Sequence, residues 1–106
     1  MNKITAAITG VGGYVPEDIL TNAMLEKMVD TNDEWIYTRT GIKERRILKD
    51  PNKGTSFLAI QAAKDLINKK GIDPKEIDLL ILATATPDMP VALTGPYVAT
   101  QIRFCV

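Results

Sequence analysis

Histidine is absent from all 106 residues, and that absence removes more chemistry than any other property of the chain. Ser-His-Asp and Cys-His nucleophile activation both need an imidazole to carry the proton, and a His-bearing zinc site needs one as a ligand. Nothing within this chain performs either. Cysteine is nearly as scarce. Cys105 stands alone, so no intrachain disulfide forms, and one unpaired thiol suits a reducing compartment. Neither sign of charge is in excess: 13 Lys and Arg offset 13 Asp and Glu, which leaves no electrostatic footprint for nucleic acid or an anionic membrane surface. No apolar run reaches the roughly 20 residues that a bilayer crossing needs. The first one, Ile4 to Val15, is cut by glycines and stopped by Pro16-Glu17-Asp18, and no secretory leader is visible in it. What remains is the expectation of a cytoplasmic globular chain, 45% hydrophobic and 25% charged, long enough for one modest core.

The order of elements along the chain points to an α/β class. Ile4 to Tyr14 is apolar and β-branched enough for a first strand. Gly10, Gly12 and Gly13 lack the third glycine of a dinucleotide-binding loop, because position 15 is Val, and Pro16 follows where a helix should start. Tight turning or close backbone approach accounts for them better. Thr21 or Asn22 caps a short helix carrying Met24, Leu25, Met28 and Val29. Ile42 to Leu48 suits an exposed hairpin or edge element whose charges are solvated surface. A turn cluster from Asp50 to Gly54 precedes the longest helix, which opens at Thr55 or Ser56 and runs to about Lys70, ahead of Gly71. Leu58, Ala62 and Leu66 form one apolar stripe of that helix, with Ala59, Ala63 and Ile67 beside it. So small a set of side chains packs equally well on a sheet or on a second helix, and the pattern does not choose. Asp73-Pro74-Lys75-Glu76 starts another short turn. Asp78 to Thr84 is a continuous apolar run, as expected for a strand covered on both faces. After the rigid loop Thr86 to Pro90, Thr94 to Ile102 reads as a last helix with Thr94 as cap and Pro96 in its first turn. The whole is read as one domain over 1–106, with no repeat or low-complexity tract.

Aromatics make up 6% of the chain and its one tryptophan is Trp35. Thr31 followed by Glu34 resembles a capping box, so a helix should begin at Thr31 or Asn32 and stop at Gly41, a natural left-handed cap. On it Thr31, Trp35 and Arg39 recur at i, i+4 and i+8, aligning a hydroxyl, a flat ring and a guanidinium. Two readings fit. Trp35 packs in the core with Arg39 over its edge, or the face grips a nucleotide, purine on indole and phosphate on guanidinium.

The segment MVDTNDEWIYTRTGIKER resembles the N-terminal signature of β-ketoacyl-acyl-carrier-protein synthase III, the condensing enzyme that starts fatty acid synthesis. TGVGGYVPEDILTN before it and ILATATPD after it are similar to flanking blocks of that family, in the same order and spacing over nearly the entire chain. The resemblance implies a partial thiolase-like α/β fold, the first part of its N-terminal α/β/α half. It also implies a homodimeric parent that uses acyl-CoA and acyl carrier protein, with no cofactor, since the CoA thioester is itself a substrate. In that family a Cys near a helix N-terminus takes the acyl group, and a His and an Asn assist decarboxylation of the malonyl unit. The nucleophile lies in an Ala-Ala-Cys context beyond the last helix here, and its two helpers farther on. No catalytic residue and no metal ligand is therefore expected in these 106 residues, and the chain alone is expected to be inactive.

What the resemblance carries over is substrate binding. Trp35 corresponds to the residue that stacks on the adenine of CoA, Thr31 to a neighbouring adenine contact and Arg39 to a phosphate contact. Val91 falls, on a looser match, where the family places a large apolar residue in the partner subunit's acyl pocket; ordinary interface packing is its alternative. Asp88 and Glu44 have no assigned chemistry and default to solvated carboxylates. Cys105 follows a helix rather than opening one, which leaves it an incidental thiol. Arg103 stands where the family usually has Gly, so 103–106 read as an altered or non-native tail. Two functions stay open: part of a CoA-dependent acyltransferase, or a stand-alone nucleotide-binding or interaction module without catalysis.

Overall fold

In the computed structural model of the chain, residues 3–89 and 94–102 are described. They form two compact units, Val15–Lys53 and Met1–Tyr14 joined with Gly54–Val106.

Four elements make the first unit: strand β1 (Ile19–Thr21), helix α1 (Asn22–Leu25), helix α2 (Asp33–Thr40) and strand β2 (Glu44–Arg46). The strands pair antiparallel, with Ile19 opposite Arg46 and Thr21 opposite Glu44. Asn22 N to Lys43 O at 3.1 Å and Ile47 N to Asp18 O at 3.0 Å extend the ladder at both ends. Placing an edge element at Ile42 to Leu48 is thus right, but its charges are not merely solvated. Arg45 donates to Leu20 O and Asn22 Oδ1, and Arg46 to Pro16 O and Glu17 O. A guanidinium has several fixed donors and no acceptor, so it satisfies carbonyls that a short sheet leaves open. Thr21 caps α1 as expected, its hydroxyl accepting from Met24 N at 3.3 Å. The helix is shorter than the apolar spacing suggests. It closes at Leu25, leaving Met28 68% and Val29 57% exposed, because four residues barely repay helix nucleation without a face to bury.

Helix α3 (Thr55–Lys70) and helix α4 (Thr94–Gln101) organise the second unit, with a 3-10 turn at Pro74–Glu76 between them. Ile60, Val98 and Ile102 form its buried centre, and Ala59, Ala63, Ile67, Leu80 and Leu82 pack around them. The core face of α3 is therefore Ala59, Ala63 and Ile67, the residues beside the expected Leu58–Ala62–Leu66 stripe, with Ile60 at the centre, and it meets α4 within the chain while Leu66 faces Gly10 and Gly12. Alanines leave room for that approach.

Helix α3 also receives the N-terminal segment. A β-carbon on Gly12 would lie 2.6 Å from Leu66 N, and one on Gly10 2.8 Å from Lys70 Cγ. Close approach explains these glycines, as read from the sequence. Gly13 N donates to Asp65 Oδ2 at 3.0 Å, and Tyr14 meets Phe57 edge to face at 5.8 Å.

The two expected strands depart from expectation. Neither Ile4 to Tyr14 nor Asp78 to Thr84 pairs in a ladder; among the described residues the sheet is β1 with β2. The second segment still alternates, since Leu80 and Leu82 reach the core while Leu79 is 72% and Ile81 82% exposed. One face is covered, not two. Apolar runs encode burial, whereas a strand exists only where a neighbour offers its backbone. Ile4 and Ile8, at 97% and 89% exposed, tell the same story. No helix among the described residues is long and apolar enough to cross a membrane.

Candidate functional site

Helix α2 shows most of its surface to solvent: of its eight residues the buried one is Ile36. The chain enters through Asn32, whose side-chain oxygen accepts from Trp35 N at 2.8 Å, while Glu26 Oε1 takes the Asp33 N–H at 2.6 Å. The helix bounds agree with the sequence, but the capping box does not form as expected. The cap falls on Asn32, and Thr31 sits one residue ahead of it. At the far end Gly41 adopts φ 70° and returns its N–H to Tyr37 O at 2.8 Å, a left-handed stop that a residue with a β-carbon resists.

Trp35 projects outward and is 53% exposed. Among the described residues it therefore packs in no core. One turn on, Arg39 lays its guanidinium over the indole, Cζ 4.9 Å from the ring centroid. Beside the ring, Asp30, Thr31, Asn32 and Trp35 line an open cleft of about 200 Å³. Thr31 and Trp35 thus share the cleft, and Arg39 joins them through the ring and not as part of its wall. A second cation pair, Lys43 Nζ at 5.2 Å from the Tyr37 ring, flanks the same helix.

Charge is graded along α2, with Asp33 and Glu34 in its first turn and Arg39 in its last. That order complements the helix dipole. It also sorts ligand groups. Asp30 in the cleft wall repels an anion, and the Asp33 and Trp35 N–H groups are already taken by side chains, so the helix start is a poor phosphate cradle despite its dipole. Arg39 is the group on this face that attracts phosphate. A ligand with an uncharged flat ring at one end and phosphate at the other therefore fits with its ring in the cleft. The cleft is smaller than the roughly 300–1,000 Å³ that encloses a whole small molecule, so it suits one end of a longer ligand.

Two polar residues of structural weight carry no sequence signature. Asn22, 2% exposed, lies beneath α2 with every amide group bonded. Asp88 is the other: it is an exposed loop carboxylate, as read from the sequence, and it has a structural role as well. Both its oxygens accept from Ser56 N, at 3.1 and 3.2 Å, where α3 has no cap of its own because its N-cap residue is Gly54. A β-carbon on Gly54 would lie 2.6 Å from Asp88 Oδ1. Thr55 Oγ1 adds a bond to Thr86 O at 2.6 Å. Hydrogen bonds from Ser56, its side chain first, with a further backbone one from Thr55, hold the Asp88 carboxyl below its ordinary value against an opposing desolvation. Capping by a residue 32 positions away leaves no local pattern to find. Val91 and Cys105 lie outside the described residues, as does the 103–106 tail. Among the described residues no group of three or more His, Cys, Asp or Glu is placed to hold a metal ion.

No protein-family model matches the chain. Individual proteins do. The chain is 66% identical over 102 residues to the β-ketoacyl-[acyl-carrier-protein] synthase III of Porphyromonas gingivalis, covering 96% of this chain and 30% of that protein. The crystal structure of 3-oxoacyl-[acyl-carrier-protein] synthase III from Aquifex aeolicus superposes with a TM-score of 0.81 at 49% identity, over 89% of this chain and 30% of that one. The Thermus thermophilus synthase gives 0.85 at 41% identity, over 93% and 30%. Fold and sequence together define the class as a partial thiolase-like α/β fold. Within it, the chain corresponds to the N-terminal portion of β-ketoacyl-[acyl-carrier-protein] synthase III, and it spans about 30% of the length of the curated relatives it matches.

Proposed function

We propose that this chain forms the nucleotide-gripping corner of a cytoplasmic acyltransferase that condenses an acyl-CoA, typically acetyl-CoA, with malonyl-acyl carrier protein to initiate fatty acid synthesis. The observation that carries this reading is the half-exposed Trp35, with Arg39 stacked on it and a cleft shared with Thr31. In it the adenine of CoA stacks on the indole, the Thr31 hydroxyl bonds a ring nitrogen, and Arg39 pairs with phosphate. CoA is a substrate here and no separate cofactor is required. Both compact units belong to one incomplete thiolase-like domain of a homodimeric parent. Carbon–carbon bond formation needs the family's Cys, His and Asn. The 106 residues hold no histidine, so their share of the work is binding.

The alternative, a free-standing nucleotide module, is disfavoured because the likeness reaches 96% of this chain while taking in less than a third of each relative's length. Titration with CoA tests the reading. CoA should quench Trp35 fluorescence and adenine-free pantetheine should not. Absence of quenching and of binding heat refutes the assignment. Turnover of acetyl-CoA and malonyl-carrier protein by the 106 residues alone refutes the division of labour.

A further inference from the structure

We infer that Asn22 is a positioning residue for the nucleotide site, a single buried amide that holds both ends of α2 and so sets the pose of Trp35 and Arg39. The inference rests on the nucleotide reading of that helix. Asn22 Nδ2 donates to Asp33 Oδ1 at 2.7 Å and to Ile42 O at 2.8 Å. Asp33 is the first residue of α2, and Ile42 follows the left-handed Gly41 that ends it. One nitrogen with two hydrogens thus ties down the start and the finish of a helix about 12 Å long. Asn22 Oδ1 accepts from Arg45 Nη2 at 2.8 Å.

Chemistry fixes which way this amide points. Arg45 has only donors, while the Ile42 carbonyl and the Asp33 carboxylate only accept, so oxygen must face Arg45 and nitrogen must face the helix. No other side chain of this size offers two donors on one atom and an acceptor on its twin. Asn22 is also anchored through its backbone, its N–H bonded to Lys43 O and its carbonyl accepting from Glu26 N. Glu26 in turn takes the Asp33 N–H at 2.6 Å. Clamped from α1 and β2 in this way, α2 needs little burial of its own, and one buried residue suffices it. The outer face stays free for a ligand, and its orientation comes from polar bonds beneath.

Asn22→Asp keeps the shape but sets an acceptor against two acceptors. The helix loses both ties without losing volume. In the full-length protein this should raise KM for acyl-CoA about ten- to a hundredfold, the scale on which small misplacements act. kcat at saturation should stay within about twofold, and KM for the carrier-protein substrate should not move. A purely structural role would lower the active fraction, hence kcat, and leave KM alone. The exchanged pair Asn22→Asp with Asp33→Asn restores a donor facing an acceptor at the helix start and keeps Arg45 satisfied, but leaves Ile42 O without its donor, so it should recover part of the lost affinity and not all of it. Where Asn22→Asp does not fold, Asp33→Ala breaks half the clamp at the helix start and should raise the same KM about three- to tenfold. The inference is overturned if the folded Asn22→Asp protein, or failing it Asp33→Ala, keeps its acyl-CoA KM, or if only kcat falls. Trp35→Ala separates the two levels. If it raises KM while the Asn22 and Asp33 variants do not, the nucleotide site stands and the clamp does not; if it too leaves KM unchanged, the nucleotide reading itself fails.

Discussion

Arg39 lies 4.9 Å from the centre of the Trp35 ring, and this contact makes a quantitative prediction about how the two residues bind CoA together. Truncating an aromatic that stacks on a base costs about 1–3 kcal/mol, and a hydrogen bond to a charged group is worth about 1.5–3 kcal/mol. Trp35→Ala and Arg39→Gln should each weaken CoA binding by roughly five- to 150-fold. The two losses should not add. At 53% exposure of the ring the guanidinium–indole contact contributes about 0.5–1 kcal/mol, and with the indole gone Arg39 is no longer held ready for phosphate. The double variant should therefore fall short of the summed losses by about 0.5–1 kcal/mol, beyond the ~0.3–0.5 kcal/mol scatter of independent sites at the upper end. Calorimetry of the four proteins with CoA measures this directly, and pantetheine, which carries neither base nor phosphate, serves as the insensitive control. The Arg39→Gln protein should also lose part of its salt dependence, since the removed charge is exposed to screening. Wild-type affinity in a folded Trp35→Ala protein, or an effect as large on pantetheine as on CoA, refutes the reasoning.

Ile60→Ala removes the centre of the α3–α4 core, where Ile60 is 8% exposed against Val98 and Ile102; it should cost about 2–5 kcal/mol, read as a lower urea midpoint, and a loss below about 1 kcal/mol would show the site collapses freely. Asp65 is held below its ordinary value by Lys69, then Gly13, and Asp88 by Ser56. Their depressed folded values mean that the contribution is full above the unfolded carboxylate value, near 3.8, and disappears as pH falls through the folded values. Urea midpoints should drop as pH is taken below about 4, and less steeply in Asp88→Asn and Asp65→Asn; an unchanged slope would contradict the bonds described. With Leu79 72% and Ile81 82% exposed, the 106-residue chain made alone should self-associate. Leu79→Lys with Ile81→Lys should reduce this in sedimentation, whereas a wild-type chain that is monomeric and melts cooperatively would sink the prediction.

Local chemistry explains what the sequence determines unaided. Asn32, Gly41, Asp73 and Gly71 bound their helical elements through bonds made within a few residues, so those boundaries and the Trp35–Arg39 pair one turn apart on α2 are written in spacing alone, whereas Thr31 lies ahead of the helix and meets Trp35 only across the cleft. Gly10 and Gly12 are legible as close approaches because no β-carbon can stand there, although what approaches them is not. Tertiary structure decides everything that depends on a distant partner. Whether Trp35 is core or surface turns on Ile36 taking the inward position of α2. Asp88 becomes a cap because folding brings it to Ser56, and Asn22 becomes a clamp because Asp33, Ile42 and Arg45 converge on it from 11, 20 and 23 residues away. The apolar runs at Ile4 and Asp78 mark surface meant for burial, but a strand also needs a neighbouring backbone, and hydrophobicity does not encode one. Side chains set the local bends and faces; long-range hydrogen bonds choose which faces close and which remain open to a ligand.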